Sequence, residues 1–473
     1  MRRFAAVTLL SIALAGCGHF SSRKDKGDEV GIAAYYLPQE EKERRSVLVR
    51  SEEQVGIPES MCAIKNQPYQ KVREEMMRSA REQGQNLAVP IRYKLKYTLK
   101  VGGDCVPDGT NLRAWLPYPR TDAETAYGVE LLSSSGQFRI SSDEYPNKSI
   151  YMEEKAEQGK PTIFSYEVAL TVVSKWHDLD SGKVRQWDIA SDIYAKYTDR
   201  TDPRLYFSPA VTRLADSLTA GTSDPYLKVR SLYTWISQYC EWEPASDWTF
   251  VDDIADTVLL RRRADVTGAN ILFVSMARSC GIPSRWQSGW RMYGEDIAPH
   301  SWAEVYYEGI GWVPVDVSLG RALVDRPVIV AVKETPEAAE EETPTAETKK
   351  KQKQPSRKGG KKDSKKEKVK ELTEEEKAAI EKAKAEEAER IAKEAALAAR
   401  NHEDAQYFYL RGMDSFRFPV NNDLASPLWP PKKHFRSGTI DFSLGEVESD
   451  SGNLYYDQWS AVLEIEAMEY LAK

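Results

Sequence analysis

Two stretches decide the fold of this chain: RADVTGANILFVSMARSCGIPSRWQSGW, from Arg263 to Trp290, and HSWAEVYYEGIGWVPVDVS, from His300 to Ser318. Within the first, Asn270–Cys280 is a largely apolar run that ends in Gly-Ile-Pro, and glycine and proline stop helices. Branched and aromatic residues then dominate up to Val317, which is typical of strands. The two stretches therefore predict a buried helix followed by strands.

This pattern resembles the centre of a transglutaminase-like domain. Such domains usually read Gly-x-Cys, then a helix ending in R-x-x-GIPxR, then a His-x-Trp-x-Glu-Val strand and a Gly-Trp-x-x-x-Asp segment. The matching residues are Arg278, Gly281, Ile282, Pro283, Arg285, His300, Trp302, Glu304, Val305, Gly311, Trp312 and Asp316. The resemblance implies an α+β, papain-like fold, with a central helix packed on an antiparallel sheet.

One position departs from the family pattern. Counting back from Gly281, the place of the nucleophilic cysteine falls on Val266. In the chemistry of such sites a thiolate attacks a carbonyl, a histidine transfers protons, and a carboxylate orients the histidine. The resemblance gives the last two roles to His300 and Asp316. Because valine has no lone pair to donate, we expect a residual dyad that forms no acyl-enzyme.

Other residues are poor replacements for the missing thiol. Cys280 follows Val266 by 14 residues (280 − 266), or about 21 Å along a helix, whereas a catalytic pair needs about 3 Å. Thr267 points about 100° away from Val266, and Asp265 could act only as a base toward water. Cys240 lies near Trp242 and Trp248 in sequence. An active cysteine protease, amidase or transglutaminase-type acyltransferase with a non-standard nucleophile is the alternative function.

The retained pair allows two interpretations. His300 and Asp316 either shape a cleft for a polar ligand or form a buried hydrogen-bonded pair that supports the sheet. Trp286, Trp290 and Trp242 are candidate binding residues, because indole rings stack on sugars, with core packing as their alternative. No second ligand lies at metal spacing to His300, so we expect neither a metal nor another cofactor. The predicted function is that of a pseudoenzyme that binds a peptide, a protein or a wall polymer.

The first residues indicate export. Residues 1–16 have two arginines followed by an apolar run that is too short to span a bilayer, and are predicted to be a signal peptide. The Leu-Ala-Gly-Cys box that ends at Cys17 resembles the bacterial lipoprotein signal. The resemblance implies lipidation of Cys17, with palmitate among its acyl chains, and anchoring to the membrane of a bacterial cell envelope. Gly18 in place of aspartate favours the outer membrane, facing the periplasm.

Composition divides the remaining chain. Strand patterns such as IRYKLKYTLKV, which alternates apolar and basic residues from Ile91, predict a β-sandwich. The LPYPR segment at 116–120 resembles one that recurs in immunoglobulin-like domains ahead of bacterial transglutaminase-like domains. The predicted divisions are a lipid-anchored tether with a helix (17–86), the β-sandwich (87–180), the first part of the transglutaminase-like domain (181–332), a charged insertion (333–403), the closing strands of that domain (404–445) and a C-terminal segment (446–473).

The charged insertion combines two compositions. Lys349–Lys370 is dense in lysine and nearly free of apolar residues, which predicts disorder. It is either a linker or a site that touches anionic lipid or wall polymers. A capping box at Thr373 then opens a Glu/Lys/Ala helix to Arg400, about 40 Å long. This helix is predicted to be solvated or to act as a weak coiled-coil partner.

Charge and cysteine content limit the remaining possibilities. A net charge of −7 argues against nucleic acid as a partner. Besides Cys17, the cysteines are Cys62, Cys105, Cys240 and Cys280, and the sequence does not choose among their three full pairings.

Overall fold

The computed structural model describes residues 63–201, 205–244, 248, 251–294, 296–325, 373–434, 440, 442–455 and 457–471. The predicted signal peptide, Cys17, most of the tether, Cys62 and the lysine-rich stretch lie outside the described residues. Within the described ranges, no helix combines the length and the apolar character needed to cross a bilayer.

Helices and strands alternate in blocks along the chain. The helices are α1 Gln67–Gln83, α2 Asp192–Tyr197, α3 Pro209–Thr219, α4 Pro225–Tyr239, α5 Ile254–Arg261, α6 Val266–Ser279, α7 Val317–Leu323 and α8 Glu374–Gln406. The strands are β1 Leu87–Val101, β2 Asn111–Pro117, β3 Ala126–Ser134, β4 Phe138–Ile140, β5 Ser149–Lys155, β6 Thr162–Trp176, β7 Glu241–Trp242, β8 Arg263–Ala264, β9 Ser284–Tyr293, β10 Asp296–Tyr307, β11 Gly311–Val315, β12 Gly412–Met413, β13 Arg417–Asn421, β14 Glu446–Ser449, β15 Asn453–Leu454 and β16 Trp459–Tyr470.

Two antiparallel sheets form the β-sandwich. One has the order β12-β6-β1-β16, with β3 also paired to β6, and the other has the order β15-β14-β2-β5-β4. The period-two pattern of β1 explains its place in the first sheet. Tyr93, Leu95, Tyr97 and Leu99 are all buried, while the intervening residues are basic or hydroxyl-bearing and are less buried. The predicted sandwich is confirmed.

The sandwich also draws strands from the far end of the chain. β16 pairs with β1 from Val101 opposite Trp459 to Ile91 opposite Tyr470. β14 pairs with β2 over four residues. The sequence placed the sandwich at 87–180 and assigned no structure to 446–473, so this contribution was missed.

Outside the sandwich, the fold is built around α6. Every residue of α6 after Val266 is buried, because the helix is enclosed on all sides. It contacts β9 and β10 of an antiparallel sheet with the order β11-β10-β9-β13, and α3, α4 and α5 pack around it. This arrangement confirms the predicted α+β class with a central helix on an antiparallel sheet.

α8 begins beside the predicted capping residue Thr373 and ends at Gln406, six residues beyond the predicted end. Its described side chains are exposed along most of its length, and burial starts at Asp404. The chain after it was predicted to form a strand throughout DAQYFYLRGMDSFRFPV. That prediction was wrong in part, because α8 continues to Gln406 and a 3-10 turn at Phe408–Leu410 precedes the short strands β12 and β13.

Candidate active site

The N-terminus of α6 carries the position at which the family pattern places its cysteine. Asp265 is the N-cap, and its Oδ1 accepts hydrogen bonds from Gly268 N at 2.7 Å and from Trp248 Nε1 at 2.9 Å. Val266 is therefore the first helical residue, and it is half-buried. The unpaired N–H groups and dipole of a helix start would lower the pKa of a thiol there. A valine side chain has no ionisable group on which the helix dipole could act in this way.

His300 and Asp316 lie together. His300 is on β10, and Asp316 follows β11 as the N-cap of α7. His300 Nε2 is 2.7 Å from Asp316 Oδ2, and both side chains are buried, with exposures of 0% and 1%. The two residues that the sequence singled out for proton chemistry thus form a hydrogen-bonded pair inside the fold.

Asp316 is held by further donors. Its Oδ1 accepts from Ser318 N at 3.0 Å and Leu319 N at 3.1 Å, and from the Ser318 hydroxyl. Its Oδ2 also accepts from Arg417 Nη1. Burial alone would raise the pKa of Asp316, but the contacts with His300, Arg417 and Ser318 outweigh it and hold that pKa well below its usual value. Asp316 is therefore a carboxylate at neutral pH.

The imidazole is neutral under the same conditions. Burial lowers the pKa of His300, with Arg291 and Arg417 adding to this effect, although Asp316 opposes it. Because a carboxylate only accepts, Nε2 carries the proton. Nδ1 then has a lone pair, and it has no hydrogen-bond partner among the described residues. His300 Nδ1 is therefore a buried acceptor that no described residue uses.

Asn270 connects the helix start to the dyad. Its side-chain amide donates to Val266 O and to Ser301 O, each at 2.9 Å, and Ser301 follows His300 on β10. Sequence motifs do not indicate Asn270, since a polar residue in an apolar helix has no motif of its own. Arg417 was also not predicted, because it lies 101 residues from Asp316 in sequence.

Two of the described cysteines cap the C-terminal ends of helices. Cys280 is the C-cap at the opposite end of α6, and burial raises the pKa of its thiol. It lies 3.5 Å from Thr219 Oγ1. Cys240 is a fully buried C-cap of α4. Cys105 and Cys280 are free thiols, which leaves no disulfide between them.

The three tryptophans proposed for binding differ in their placement. Trp286 and Trp290 are only 1% and 3% exposed, so their rings pack in the core, and their role in binding stays a prediction. They are four residues apart on β9 and so lie on the same face of the strand. The Trp290 ring packs edge-on against the Tyr97 ring of the sandwich, with 5.9 Å between the ring centroids. Trp242 is half-buried on β7, opposite Ala264 and thus close to the start of α6. It alone of the three retains a surface near the helix start.

No cluster of three or more histidine, cysteine or acidic side chains suited to a metal ion occurs within the described ranges.

Comparison with known proteins identifies the central region. Residues 212–317 match the family model of the transglutaminase-like superfamily. A proposed cysteine protease from Cytophaga hutchinsonii is 17% identical with a TM-score of 0.36, and the match covers 50% of this chain and 78% of that chain. The periplasmic domain of TgpA from Pseudomonas aeruginosa is 16% identical with a TM-score of 0.26, and here the match covers 53% and 91%. No curated protein matches the chain. The matched segment contains Val266, His300 and Asp316 and ends at Val317, the first residue of α7. The chain therefore carries a transglutaminase-like domain.

Proposed function

We propose that this protein is a lipid-anchored protein of the bacterial cell envelope whose transglutaminase-like domain forms no acyl-enzyme. In this proposal the domain binds a peptide, a protein or a wall polymer. The observation that carries the proposal is the side chain at the start of α6. Val266 occupies the first helical position, where a cysteine would meet the helix dipole, while His300 and Asp316 retain a 2.7 Å hydrogen bond.

The retained dyad is suited to recognition. A neutral imidazole with its lone pair on Nδ1 accepts a hydrogen bond from an amide N–H or a hydroxyl, groups that peptides and glycans both carry. Because His300 has no exposed surface, ligand contact at Nδ1 requires neighbouring side chains to move. A buried acceptor without a partner costs free energy, so a matching donor on a ligand is favoured.

Activity of the wild-type protein and of Val266→Cys tests the proposal. We expect no thiol-dependent protease, amidase or transglutaminase activity from the wild-type protein. In Val266→Cys the new thiol lies at a helix N-terminus, so it should be alkylated by iodoacetamide at pH 7 about tenfold faster than an ordinary thiol, as mapped by mass spectrometry. Hydrolytic activity should reappear only in this variant.

Thr267→Cys is the matched control, because it places a thiol one residue further along α6, at a position that is 8% exposed. Equal alkylation rates in the two variants would show that the site no longer favours a thiolate. Iodoacetamide-sensitive turnover by the wild-type protein would overturn the proposal and support the alternative, an enzyme with a non-standard nucleophile.

The anchor is a separate part of the proposal, and the Leu-Ala-Gly-Cys box ending at Cys17 supports it. Cells expressing the full chain should incorporate labelled palmitate into it and retain it in the outer-membrane fraction. Cys17→Ser should abolish the label. Equal labelling of Cys17→Ser and the wild-type protein would exclude this residue as the anchor.

A further inference from the structure

A pocket of about 280 Å³ lies where the end of α8 packs against α4. None of its lining residues belongs to the His300–Asp316 dyad. Part of its wall is the end of the charged insertion, a segment that lies outside the residues 212–317 matched by the family model.

One wall comes from the last turns of α8. Arg400, Glu403 and Asp404 follow the spacing of i, i+3 and i+4, so they share one face of α8. Tyr407 comes directly after the last helical residue. Arg411 follows a few residues later and completes this wall.

The opposite wall comes from α4. Tyr226 and Arg230 are four residues apart and lie on one face of that helix. The Arg230 guanidinium stacks over the Tyr407 ring at 4.5 Å, so it links the two walls. Asp180 and Ser181, which follow β6, close one end.

The carboxylates at this pocket already have cationic partners. Glu403 pairs with Arg230, and Asp180 Oδ2 is 2.9 Å from Lys183 Nζ. Asp404 is shared by Arg411, by Arg400 at 3.8 Å and by a third arginine on α1. Arg400 Nη2 also donates to Asp178 Oδ1 at 2.9 Å, so all three lining arginines have acidic partners. Each guanidinium carries five N–H donors and these pairs use only some of them, so the unused capacity of the pocket is that of N–H donors.

Arg411 has an unused donor in a buried position. Its side chain is 5% exposed, Nη1 donates to Leu179 O, and Nη2 donates to Asp404. Nε has no hydrogen-bond partner among the described residues. Burial lowers the pKa of Arg411, and the nearby charges of Arg230 and Arg400 lower it further, against the opposing effects of Tyr226 and Asp178. The positive charges at this place thus repel one another.

We infer that this pocket binds an oxyanion group, either a carboxylate or a phosphoryl group, between Arg230, Arg400 and Arg411. Guanidinium groups donate in a planar fork that matches both kinds of oxyanion. A bound anion would supply acceptors for the guanidinium N–H groups that the acidic partners leave unused. Since one wall belongs to α8, binding would also fix the end of the charged insertion against α4. This inference does not depend on the binding role proposed for the dyad.

Calorimetric titration of the full chain tests the inference, with inorganic phosphate and the dipeptide alanyl-alanine as separate probes at constant ionic strength. We expect saturable binding of at least one probe to one site. Saturation by phosphate alone assigns a phosphoryl ligand, and saturation by the dipeptide alone assigns a carboxylate.

Arg400→Gln should weaken binding about tenfold or more, because one charged hydrogen-bond donor is lost. Arg230→Gln, on the opposite wall, should do the same. Arg390→Gln is the matched control, since Arg390 lies on α8 outside the pocket and pairs with Glu387 and Glu394. Absence of saturation with both probes would overturn the inference, as would equal weakening by Arg390→Gln. Circular dichroism of each variant checks that α8 is retained.

Discussion

At the scale of single residues, Arg417 controls the charge balance around the dyad. It contacts Asp316 through Nη1, and its Nε lies 3.8 Å from Asp414 Oδ1. Asp414 also accepts from the hydroxyls of Tyr293 at 2.9 Å and Tyr409 at 2.6 Å. All the charged groups in this cluster are buried. One arginine therefore compensates two carboxylates that have no access to water.

Replacing Arg417 should destabilise the folded protein. Arg417→Met leaves Asp316 and Asp414 buried without their cation, and we expect the free energy of unfolding to fall by about 3–5 kcal/mol. Urea denaturation followed by tryptophan fluorescence measures the change. Arg390→Met, which removes an exposed arginine with two carboxylate partners on α8, should cause no measurable loss. Similar stabilities for the two variants would contradict a structural role for Arg417.

The sequence alone could indicate part of this cluster. Val266, His300 and Asp316 follow from motif spacing, because each belongs to a segment with glycine, proline or tryptophan landmarks. The interaction of Arg417 with Asp316 joins residues 101 positions apart, and no local pattern encodes that approach. The local sequence around Trp290 also does not indicate its burial, because the sandwich residue that packs against it, Tyr97, comes from a distant part of the chain.

At the scale of elements, β16 has a clear inner and outer side. Leu463 is 4% exposed and pairs with Tyr97, whereas the adjacent Val462 is 52% exposed and pairs with Thr98. The same strand therefore offers a buried site and its exposed neighbour for comparison.

Truncation of the two side chains should have unequal effects. Leu463→Ala removes buried methyl groups and leaves a cavity, so we expect a loss of about 2–4 kcal/mol in the free energy of unfolding. Val462→Ala should change it by less than about 0.5 kcal/mol, since its side chain is in solvent. Thermal denaturation followed by circular dichroism compares them. A loss in Val462→Ala as large as that in Leu463→Ala would show that Val462 is also buried, and would contradict the inner and outer sides assigned to β16.

Local propensity explains which elements were predictable. α8 has a capping residue and a run of helix-forming Glu, Lys and Ala, so its start was predicted at the correct residue. β16 reads SAVLEIEAMEY after its tryptophan, and its Glu, Ala, Leu and Met favour a helix in isolation. Pairing with β1 overrides that preference, and this pairing cannot be read from the segment itself.

At the scale of the whole molecule, the sandwich and the transglutaminase-like domain are joined by main-chain contacts. Arg120 N donates to Pro419 O at 3.0 Å, and Lys148 N donates to Val420 O at 3.0 Å. Pro419 and Val420 belong to β13, which is also a strand of the sheet that carries His300. Composition predicted the sandwich (87–180) and the closing strands (404–445) as separate segments. In the structure these two segments are joined by hydrogen bonds between their main chains.

The position of β1 between β6 and β16 has a consequence for the order in which the molecule can be completed. Val101 pairs with Thr162 on one side and with Trp459 on the other, at separations of 61 and 358 residues. A ribosome makes the chain from its N-terminus, so the second pairing becomes possible about 300 residues later than the first. Until then one edge of β1 has unpaired N–H and C=O groups beside an apolar face. The nascent chain must keep that edge from other strands until β16 has been made.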